Sequence, residues 1–261
     1  MSQPTAPVEI DRGAGPEQDA VAVEAPLQIE IEGQPVATLM RTPGADLDLV
    51  TGFLWTEGLI EDPDDVQAIA HCADPRKPHR ENIVRVRLAA GAPAIGPRLE
   101  SMRRALYAHG GCGVCGKASI DQIFLQAPRR PASDPPERGQ VSQWPRLLRA
   151  HQPIFEQTGG LHGAALISRD YVVTAAEDIG RHNAVDKVIG AQIRATGAPP
   201  EGLALMVSSR VGFEIVQKAL MARLWALAAV GAASSLADEA ARAGGLHLFT
   251  WVRGDRAVYH G

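Results

Sequence analysis

The stretch Leu203-Ala204-Leu205-Met206-Val207 is apolar at every position and is followed at once by the polar residues Ser208-Ser209-Arg210. An apolar run without alternation is typical of a strand that is buried on both faces of a sheet. The flanking segments agree with this interpretation. Arg181 to Thr196 carries apolar residues at helical spacing and stops before Gly197, and Phe213 to Ala228 has a second such stripe. The run is therefore predicted to be a central strand between two helices.

Working outward from this strand, the pattern after residue 162 predicts the order β-β-α-β-α-β-α-β-β. The remaining strands are expected at 165–168, 171–175, 230–234, 246–252 and 257–260, and the third helix is expected from Ser235 to Gly244. Strands and helices that alternate in this way form an α/β fold with a mixed sheet and helices on both faces. In such sheets, ligands bind at the carboxyl ends of the strands.

Cationic and polar side chains follow several of these predicted strands. The candidate ligand-binding residues are Arg181 and His182 at a helix start, Ser208, Ser209 and Arg210, and the C-terminal turn Trp251-Val252-Arg253-Gly254-Asp255-Arg256. Helix N-termini and guanidinium groups both bind phosphate. Taken alone, the C-terminal turn fits a solvated hairpin tip. Together, the four arginines favour a ligand with several phosphates over four unrelated surface charges.

Two histidines near these motifs have more than one interpretation. His162 lies between Leu161 and Gly163 just before a strand, where it fits a structural donor and a site residue equally well. His182 and Asp186 lie one helical turn apart, so they have the spacing to pair with each other. Such a pair would give His182 a structural role.

The N-terminal part of the chain predicts a different organisation. Residues 1–24 are rich in Pro and Gly and poor in large apolar side chains, which predicts a disordered leader. Residues 25–97 predict a small α+β domain, with a hairpin over 27–40, a helix over 46–60 and a half-exposed strand over 84–88. The second domain, 98–261, contains a cysteine loop at about 110–117. It also holds a Pro-rich connector at 126–145 without regular structure, and a helix is expected from about Trp144 to Gln152.

Composition and charge exclude several classes of protein. The 261 residues carry a net charge of -4, which argues against nonspecific nucleic-acid or membrane binding as the main activity. No run approaches the ~18 apolar residues of a membrane span. The N-terminus has no apolar segment, and the chain has 3 cysteines, Cys72, Cys112 and Cys115. These features predict a reducing, cytoplasmic location.

The chemistry is expected at Gly110-Gly111-Cys112-Gly113-Val114-Cys115-Gly116-Lys117, where glycines leave both thiols accessible. A nearby cation such as Lys117 lowers a thiol pKa and raises its thiolate fraction. The residues alone leave three functions open: a persulfide carrier, a dithiol redox centre, and a zinc site completed by His71, Cys72 or His109. Zinc is less favoured because no second CxxC exists. A thioredoxin-like centre would need a strand before the motif and a helix directly after it, whereas glycines flank both cysteines here.

Several long motifs, all in the expected order, resemble those of the formate dehydrogenase accessory sulfurtransferase family. They are Arg103-Arg104-Ala105-Leu106, Cys112-Gly113-Val114-Cys115-Gly116, the segments 177–187 and 207–210, and Glu214-Ile215-Val216-Gln217-Lys218. The resemblance covers roughly Pro26 to Tyr259. It implies a fold similar to that of cytidine deaminases, although the deaminase signature is absent, so no metal site and no deamination are predicted.

The resemblance also implies a function. A cysteine desulfurase donates sulfur, Cys112 carries it as a persulfide, and Cys115 is the second thiol. The sulfur passes to molybdenum in bis(molybdopterin guanine dinucleotide) before that cofactor enters formate dehydrogenase. The family implies a homodimer, and it implies that the turn from Trp251 to Arg256 binds the guanine nucleotide ends, so that a GDP-like nucleotide fits the same site. The alternative is a zinc-stabilised cofactor chaperone without covalent sulfur transfer.

Overall fold

The computed structural model describes residues 3–13, 15–90, 92 and 129–261. The strands within these ranges are β1 (Thr5–Asp11), β2 (Pro16–Ala22), β3 (Ala25–Ile31), β4 (Gln34–Arg41), β5 (Val66–His71), β6 (Ile83–Leu88), β7 (His162–Ser168), β8 (Tyr171–Asp178), β9 (Ala204–Val207), β10 (Ala226–Ala229), β11 (His247–Arg253) and β12 (Arg256–His260). The α-helices are α1 (Asp46–Thr56), α2 (Arg138–Arg149), α3 (Pro153–Thr158), α4 (Arg181–Thr196), α5 (Phe213–Met221) and α6 (Ser235–Gly244). Short 3-10 helices occupy Pro63–Asp65 and Arg80–Asn82.

The six-stranded sheet has the order β12-β11-β10-β9-β7-β8. Strands β9, β10 and β11 are parallel, whereas β7 runs antiparallel to both β8 and β9, and β12 antiparallel to β11. Every residue of β9 and β10 is buried. The predicted mixed sheet and the predicted order of its elements are confirmed.

Helices pack on both faces of this sheet, as predicted. Successive side chains of a strand point to opposite faces. Leu205 and Val207 of β9 therefore belong to the larger core cluster, together with apolar residues of α1, α4, α5 and α6. Ala204 and Met206 belong to a second cluster, where they pack with Trp144 and its neighbours on α2.

The N-terminal section forms a four-stranded sheet with the order β4-β3-β6-β5. The hairpin β3–β4 turns at Glu32 and Gly33, which both have positive φ, and β3 pairs in parallel with β6. The predicted hairpin, helix and half-exposed strand are confirmed. Leu27 and Leu49 from this section share one core cluster with Leu205 of the larger sheet. The two sections thus bury their apolar faces against each other, and the boundary expected at 97/98 lies outside the described residues.

The leader that we expected to be disordered forms the antiparallel hairpin β1–β2 instead. Gly13 and Gly15 adopt positive φ in the turn, and the Asp11 carboxylate accepts hydrogen bonds from both of their amides. Ala22 packs close to Gly160 after α3. The prediction from composition was wrong because backbone pairing and a suitable turn order this segment without large apolar side chains.

The Pro-rich connector also differs from expectation at its C-terminal end. Helix α2 begins at Arg138 and includes Pro145, although 126–145 was predicted to lack regular structure. Val141, Trp144 and Leu148 lie on one side of this helix and are buried against the sheet. This burial outweighs the hydrogen bond that a proline inside a helix cannot make.

Helix α5 is shorter than predicted and ends at Met221. Arg223 has a left-handed φ of 58°, and residues 226–229 form β10 between β9 and β11. The strand expected at 230–234 therefore begins earlier. An apolar run of this kind fits a helix stripe and a buried strand equally well, and pairing with two neighbouring strands decided between them.

Glycines allow α1 and α4 to cross in close contact. A Cβ atom on Gly52 would lie 1.9 Å from the carbonyl oxygen of Asp186, and one on Gly190 would lie 1.9 Å from that of Asp48. Both neighbours are backbone atoms, which cannot move aside as a flexible side chain can. Close backbone approach at these two positions therefore depends on glycine.

We predict that Gly52→Ala lowers the free energy of unfolding by about 3 kcal/mol or more, since the added methyl group forces the two helices apart. Gly139→Ala is the matched control, because Gly139 also lies in a helix but, apart from its own helix, no atom of the described residues lies within 4 Å of its Cβ position. It should leave stability unchanged or raise it by up to about 1 kcal/mol. Urea unfolding measures both, and equal stability of the two variants would contradict the proposed close contact.

Candidate functional site

One edge of the six-stranded sheet gathers most of the predicted ligand-binding residues. We call it the carboxyl edge, because β8, β9, β10 and β11 end there and β7 begins there. Backbone hydrogen bonds continue past the strands: the amide of Ser208 donates to Gly163 O at 3.0 Å, that of Gly231 to Ser209 O at 3.2 Å, and that of Trp251 to Gly231 O at 3.1 Å. These residues are therefore lateral neighbours along the edge.

The three polar residues after β9 differ in exposure: Ser208 is half-buried, Ser209 is buried and Arg210 is exposed. The Ser208 hydroxyl accepts a hydrogen bond from the amide of Gly163 at 2.9 Å, and the buried Ser209 hydroxyl donates to the carbonyl of Arg210. Arg210 itself is exposed, and a Cβ on Gly231 would lie 2.8 Å from its Cγ. Both serine hydroxyls therefore bond to backbone groups of the fold, and Arg210 is the most exposed of the three residues.

The C-terminal turn presents an aromatic ring and cations. Trp251 is 44 % exposed at an irregularity in the pairing of β11 with β12, and the Arg253 guanidinium carbon lies 5.5 Å from the centre of its ring. Arg256 is also exposed, whereas Val252 is fully buried in the core. Of the six residues predicted here, Val252 thus contributes its side chain to packing and not to a binding surface.

The backbone at Trp251 is strained. Its φ of 53° lies in the left-handed region, which costs a bulky residue roughly 1–3 kcal/mol. The following residue, Val252, points into the core. The pairing of β11 with β12 is irregular at this point, and the indole of Trp251 is exposed to solvent. The strain therefore accompanies an exposed aromatic surface at the carboxyl edge.

Helix α4 begins at the same edge with Arg181 and His182. Its N-cap, Gly180, has no side chain to cap the first amides. The Nε atom of Arg181 and the Nε2 atom of His182 are buried and have no hydrogen-bond partner among the described residues. The suggested His182–Asp186 pair is not formed, because Asp186 binds Lys218 and Thr56 instead. Both side chains at the helix start thus keep unused polar atoms.

The Asp178 carboxylate, whose two oxygens each accept from two donors, fixes the loop before α4. Asp178 is fully buried, and its Oδ1 accepts from the amide of Gly180 at 2.8 Å and from Asn183 Nδ2 at 3.0 Å. Its Oδ2 accepts from the amide of Thr42 at 3.2 Å and lies 2.7 Å from Lys187 Nζ. This network ties the end of β4 to the start of α4 and so holds Arg181 at the edge.

A second buried ion pair lies deeper in α4. Lys218 of α5 donates to both carboxylate oxygens of Asp186 at 3.0 and 2.9 Å, and to Glu57 at 3.1 Å. Burial opposes the charge of Lys218, but attraction to these two carboxylates outweighs it and raises the lysine pKa. The ammonium group is therefore charged in the interior, between α1, α4 and α5.

Both histidines near the edge favour the neutral form. Burial lowers the pKa of His182 to about 4, and the positive charges of Lys218 and Arg181 contribute. Burial and Arg181 also lower the pKa of His162, which pairs in register with Asp178 across β7 and β8. Two roles remained open for His162. The structure places it close enough to Arg181 for the guanidinium charge to disfavour a protonated imidazole.

Sequence reasoning missed the residues that hold this site together. Asp178, Lys187 and Lys218 were noted only as parts of motifs, and Asp186 only as a candidate partner of His182, yet all four are buried and paired with each other. The available signal was that Asp186 and Lys187 interrupt a helical segment rich in apolar residues. A charge on the buried side of a helix requires a partner.

Cys112 and Cys115 lie outside the described residues, as does His109. Cys72 is buried, and its amide donates to Ile83 O at 2.8 Å. Among the residues that the structure describes, no three His, Cys, Asp or Glu side chains converge as metal ligands. In the same part of the chain, no helix is long and apolar enough to cross a membrane.

Comparison with known proteins gives consistent results. The model of the FdhD/NarQ family matches residues 22–261. A protein named sulfur carrier protein FdhD from Anaeromyxobacter dehalogenans is 46 % identical over 252 residues, which cover 94 % of this chain and 88 % of that protein. A Mycobacterium tuberculosis protein of the same name is 42 % identical over 245 residues, covering 91 % and 88 %.

The fold also has a counterpart among solved structures. The crystal structure of a candidate formate dehydrogenase accessory protein from Desulfotalea psychrophila superposes with a TM-score of 0.70 at 20 % identity. The match covers 98 % of this chain and 95 % of the other. At this identity the likeness concerns the fold.

We predict that Lys218→Met lowers the free energy of unfolding by about 3–5 kcal/mol, because it leaves the buried Asp186 carboxylate and the half-buried Glu57 carboxylate without their cation. Arg194→Met is the matched control: it removes an exposed partner of Asp48 and should cost less than about 1 kcal/mol. Chemical denaturation at pH 7 compares the two. A small, equal loss in both variants would show that the buried lysine is not needed to compensate these charges.

Proposed function

Because the chain belongs to the FdhD/NarQ family, we propose that it is a sulfur carrier that serves formate dehydrogenase. The observation that carries this proposal is the grouping of Arg181, Arg210, Trp251 and Arg253 at one sheet edge, where none of the three arginines forms an ion pair with a described carboxylate. Such a surface suits a ligand with phosphates and an aromatic ring. The names of the relatives supply the sulfur-carrying role.

In the loading step, the Cys112 thiolate attacks the outer sulfur of a persulfide on a cysteine desulfurase. The new S–S bond gives a persulfide on Cys112, and the desulfurase cysteine leaves as a thiolate that takes up a proton. This is ordinary thiol–disulfide exchange, so its rate depends on the thiolate fraction and on access to the thiol. The glycines around Cys112 favour such access.

In the unloading step, Cys115 completes the electron balance. Its thiolate attacks the inner sulfur of the Cys112 persulfide, which forms a Cys112–Cys115 disulfide and releases hydrosulfide. The two electrons that convert sulfane sulfur to sulfide come from the two cysteine thiolates. The hydrosulfide, together with one proton from solvent, replaces an oxo ligand of the molybdenum substrate, and the displaced oxygen leaves as water. A thiol reductant then restores the two cysteines.

The molybdenum substrate is bis(molybdopterin guanine dinucleotide), and we propose that its nucleotide ends dock at the carboxyl edge. Trp251 offers a face for stacking on a guanine ring, and Arg253 and Arg256 are close enough in the turn to contact phosphate. Arg210 adds a further cation beside the turn, since Gly231 links the two segments. The partners are then a cysteine desulfurase, formate dehydrogenase and a second copy of this chain.

Persulfide formation tests the covalent role. After incubation with a cysteine desulfurase and cysteine, we expect the Cys112 peptide to gain about 32 Da, the mass of one sulfur atom, in mass spectra recorded without reductant. Cys112→Ser should lose this gain, and Cys115→Ser should retain it but release sulfide more slowly. Cys72→Ser is the matched control, because that thiol is buried away from solvent.

Metal analysis of the same samples distinguishes the zinc alternative. Stoichiometric zinc that is lost in both Cys112→Ser and Cys115→Ser, together with no added sulfur, would refute the carrier role. Formate oxidation in cells gives the functional result: a double serine variant that supports normal activity would also refute it.

Nucleotide binding tests the docking surface. Trp251→Ala should weaken GDP binding by roughly tenfold, because stacking of a base on an aromatic ring contributes about 1–3 kcal/mol. Tyr171→Ala is the matched control, since Tyr171 is also an exposed aromatic residue but lies at the opposite end of β8. Calorimetric titration measures both affinities. Equal affinities would place the guanine elsewhere.

A further inference from the structure

We propose that the hydrogen-bonded chain Asp238–His260–Thr250 is a positioning device, which holds Trp251 in the conformation that can stack on a base. The inference rests on the function proposed above, in which Trp251 receives the guanine ring, and it goes beyond that function by assigning a role to His260. The three side chains act through the backbone of β11, and the ligand contacts Trp251 and not the chain itself. They are therefore positioning residues.

The chain joins α6 to β11 through β12. His260 Nδ1 lies 2.9 Å from Asp238 Oδ1, and His260 Nε2 lies 2.7 Å from the hydroxyl oxygen of Thr250. An ionised carboxylate only accepts, so Nδ1 donates to Asp238, whereas a hydroxyl can either donate to Nε2 or accept from it. Both ring nitrogens therefore have a partner, and the orientation of the imidazole is fixed.

The Asp238 end of the chain lies on a rigid element. Its Oδ2 accepts from Arg242 Nε at 3.1 Å, one helical turn further along α6, and its amide donates to Ser234 O at 3.1 Å. Ser234 caps the helix, since its hydroxyl accepts from the amide of Ala237 at 3.2 Å. A side chain on a helix that is also held by a second partner is placed more precisely than one on a loop. Asp238 thus provides a fixed point for His260.

Trp251 occupies a β-bulge in the pairing of β11 with β12. Trp251 and Val252 lie between two regular pairs, and β12 has the single residue Ala257 at this place. In bulges whose first residue has a positive φ, that residue is usually glycine. Trp251 adopts such a φ, 53°, with a bulky side chain. A strained residue persists only where its surroundings over-determine its conformation, so contacts on both sides of Trp251 must fix the bulge.

The residues on either side of Trp251 are anchored on opposite faces of the sheet. Residues 250 and 252 would share a face in a regular strand. Here Val252 lies in the same core cluster as Trp144 of α2. Thr250, in contrast, is tied through His260 to α6, whose apolar residues belong to the cluster on the other face. Both anchors are satisfied only with the extra residue of the bulge. Together they leave Trp251 in the left-handed region with its indole exposed.

Of these anchors, the one at Thr250 consists of hydrogen bonds and is removed by deleting a single hydroxyl. The burial of Val252 and the bond from the Trp251 amide to Gly231 O at 3.1 Å remain in that case. Without the tie at Thr250, pairing of β11 and β12 without a bulge becomes accessible, and it turns residue 251 away from its present direction. A smaller competent fraction lowers the apparent affinity for a ligand in proportion.

Fluorine NMR of protein labelled with fluorotryptophan tests the positioning without any ligand. Thr250→Val removes the hydroxyl and retains a side chain of similar shape. We expect the Trp251 resonance, assigned with Trp251→Phe, to shift or broaden in this variant. The resonance of Trp55, which is buried and donates to Met221 O at 2.9 Å, should stay in place and so verify folding.

Calorimetric titration with GDP measures the consequence for binding. Thr250→Val should weaken binding by roughly threefold or more, which corresponds to a competent fraction of about one third. Thr250→Ser keeps the hydroxyl and should restore both the resonance and the affinity. Thr196→Val is the matched control, because the Thr196 hydroxyl donates to the carbonyls of Gln192 and Ala198 at the end of α4, away from this chain. It should match wild type in both measurements.

The outcomes separate this inference from the function proposed above. A Trp251 resonance in Thr250→Val equal to that of wild type overturns the inference, and so does a changed resonance with unchanged GDP affinity. If Thr250→Val does not fold, His260→Phe carries the test, because His260 is partly exposed and Phe supplies a ring without the two nitrogens. Absence of GDP binding in wild type refutes the docking surface, while a shifted resonance still supports the role of the chain.

Discussion

The buried pair between Asp178 and Lys187 is the interaction on which the candidate site depends. Removing two charges from water is costly, and it is tolerated here because every carboxylate oxygen has two donors and the ammonium also donates to two carbonyls. Those partners are Thr42 directly after β4, Glu177 of β8, Gly180 before α4 and Asn183 of α4. One ion pair therefore fixes how the N-terminal sheet meets the larger one and where α4 begins.

This arrangement divides the cations into two groups. Lys187 and Lys218 are buried, and carboxylates compensate their charges within the fold. Arg210 and Arg253 lie at the carboxyl edge, are exposed and form no ion pair with a carboxylate in the described part of the chain. Charges of the first kind specify the packing of helices, whereas charges of the second kind remain available to an anionic ligand. In the proposed sulfur carrier, the buried lysines stabilise the packing of the elements that present the exposed arginines.

Much of the fold follows from local patterns. Helix α4 was predicted with the bounds that the structure shows, because its apolar stripe, its start after Gly180 and its end at Gly197 are all local signals. Predictions failed where one pattern fits two kinds of element, and where order depends on strand pairing and not on composition. Residues 226–229 fit a helix stripe and a strand alike, and the hairpin β1–β2 is ordered by pairing that composition does not report.

The order of the elements after residue 162, the cysteine pair Cys112 and Cys115, and the cations that follow the strands of the sheet can all be read from local sequence. Which of the candidate site residues are available to a ligand depends on tertiary contacts: the Ser208 hydroxyl and the Val252 side chain are used in the fold, whereas Arg210 and Trp251 are exposed. Tertiary contacts also decided that His182 is neutral and that Asp186 pairs with Lys218, which lies 32 residues away. The physical reason is that burial and partner choice depend on residues distant in the chain, whereas periodicity depends on neighbours.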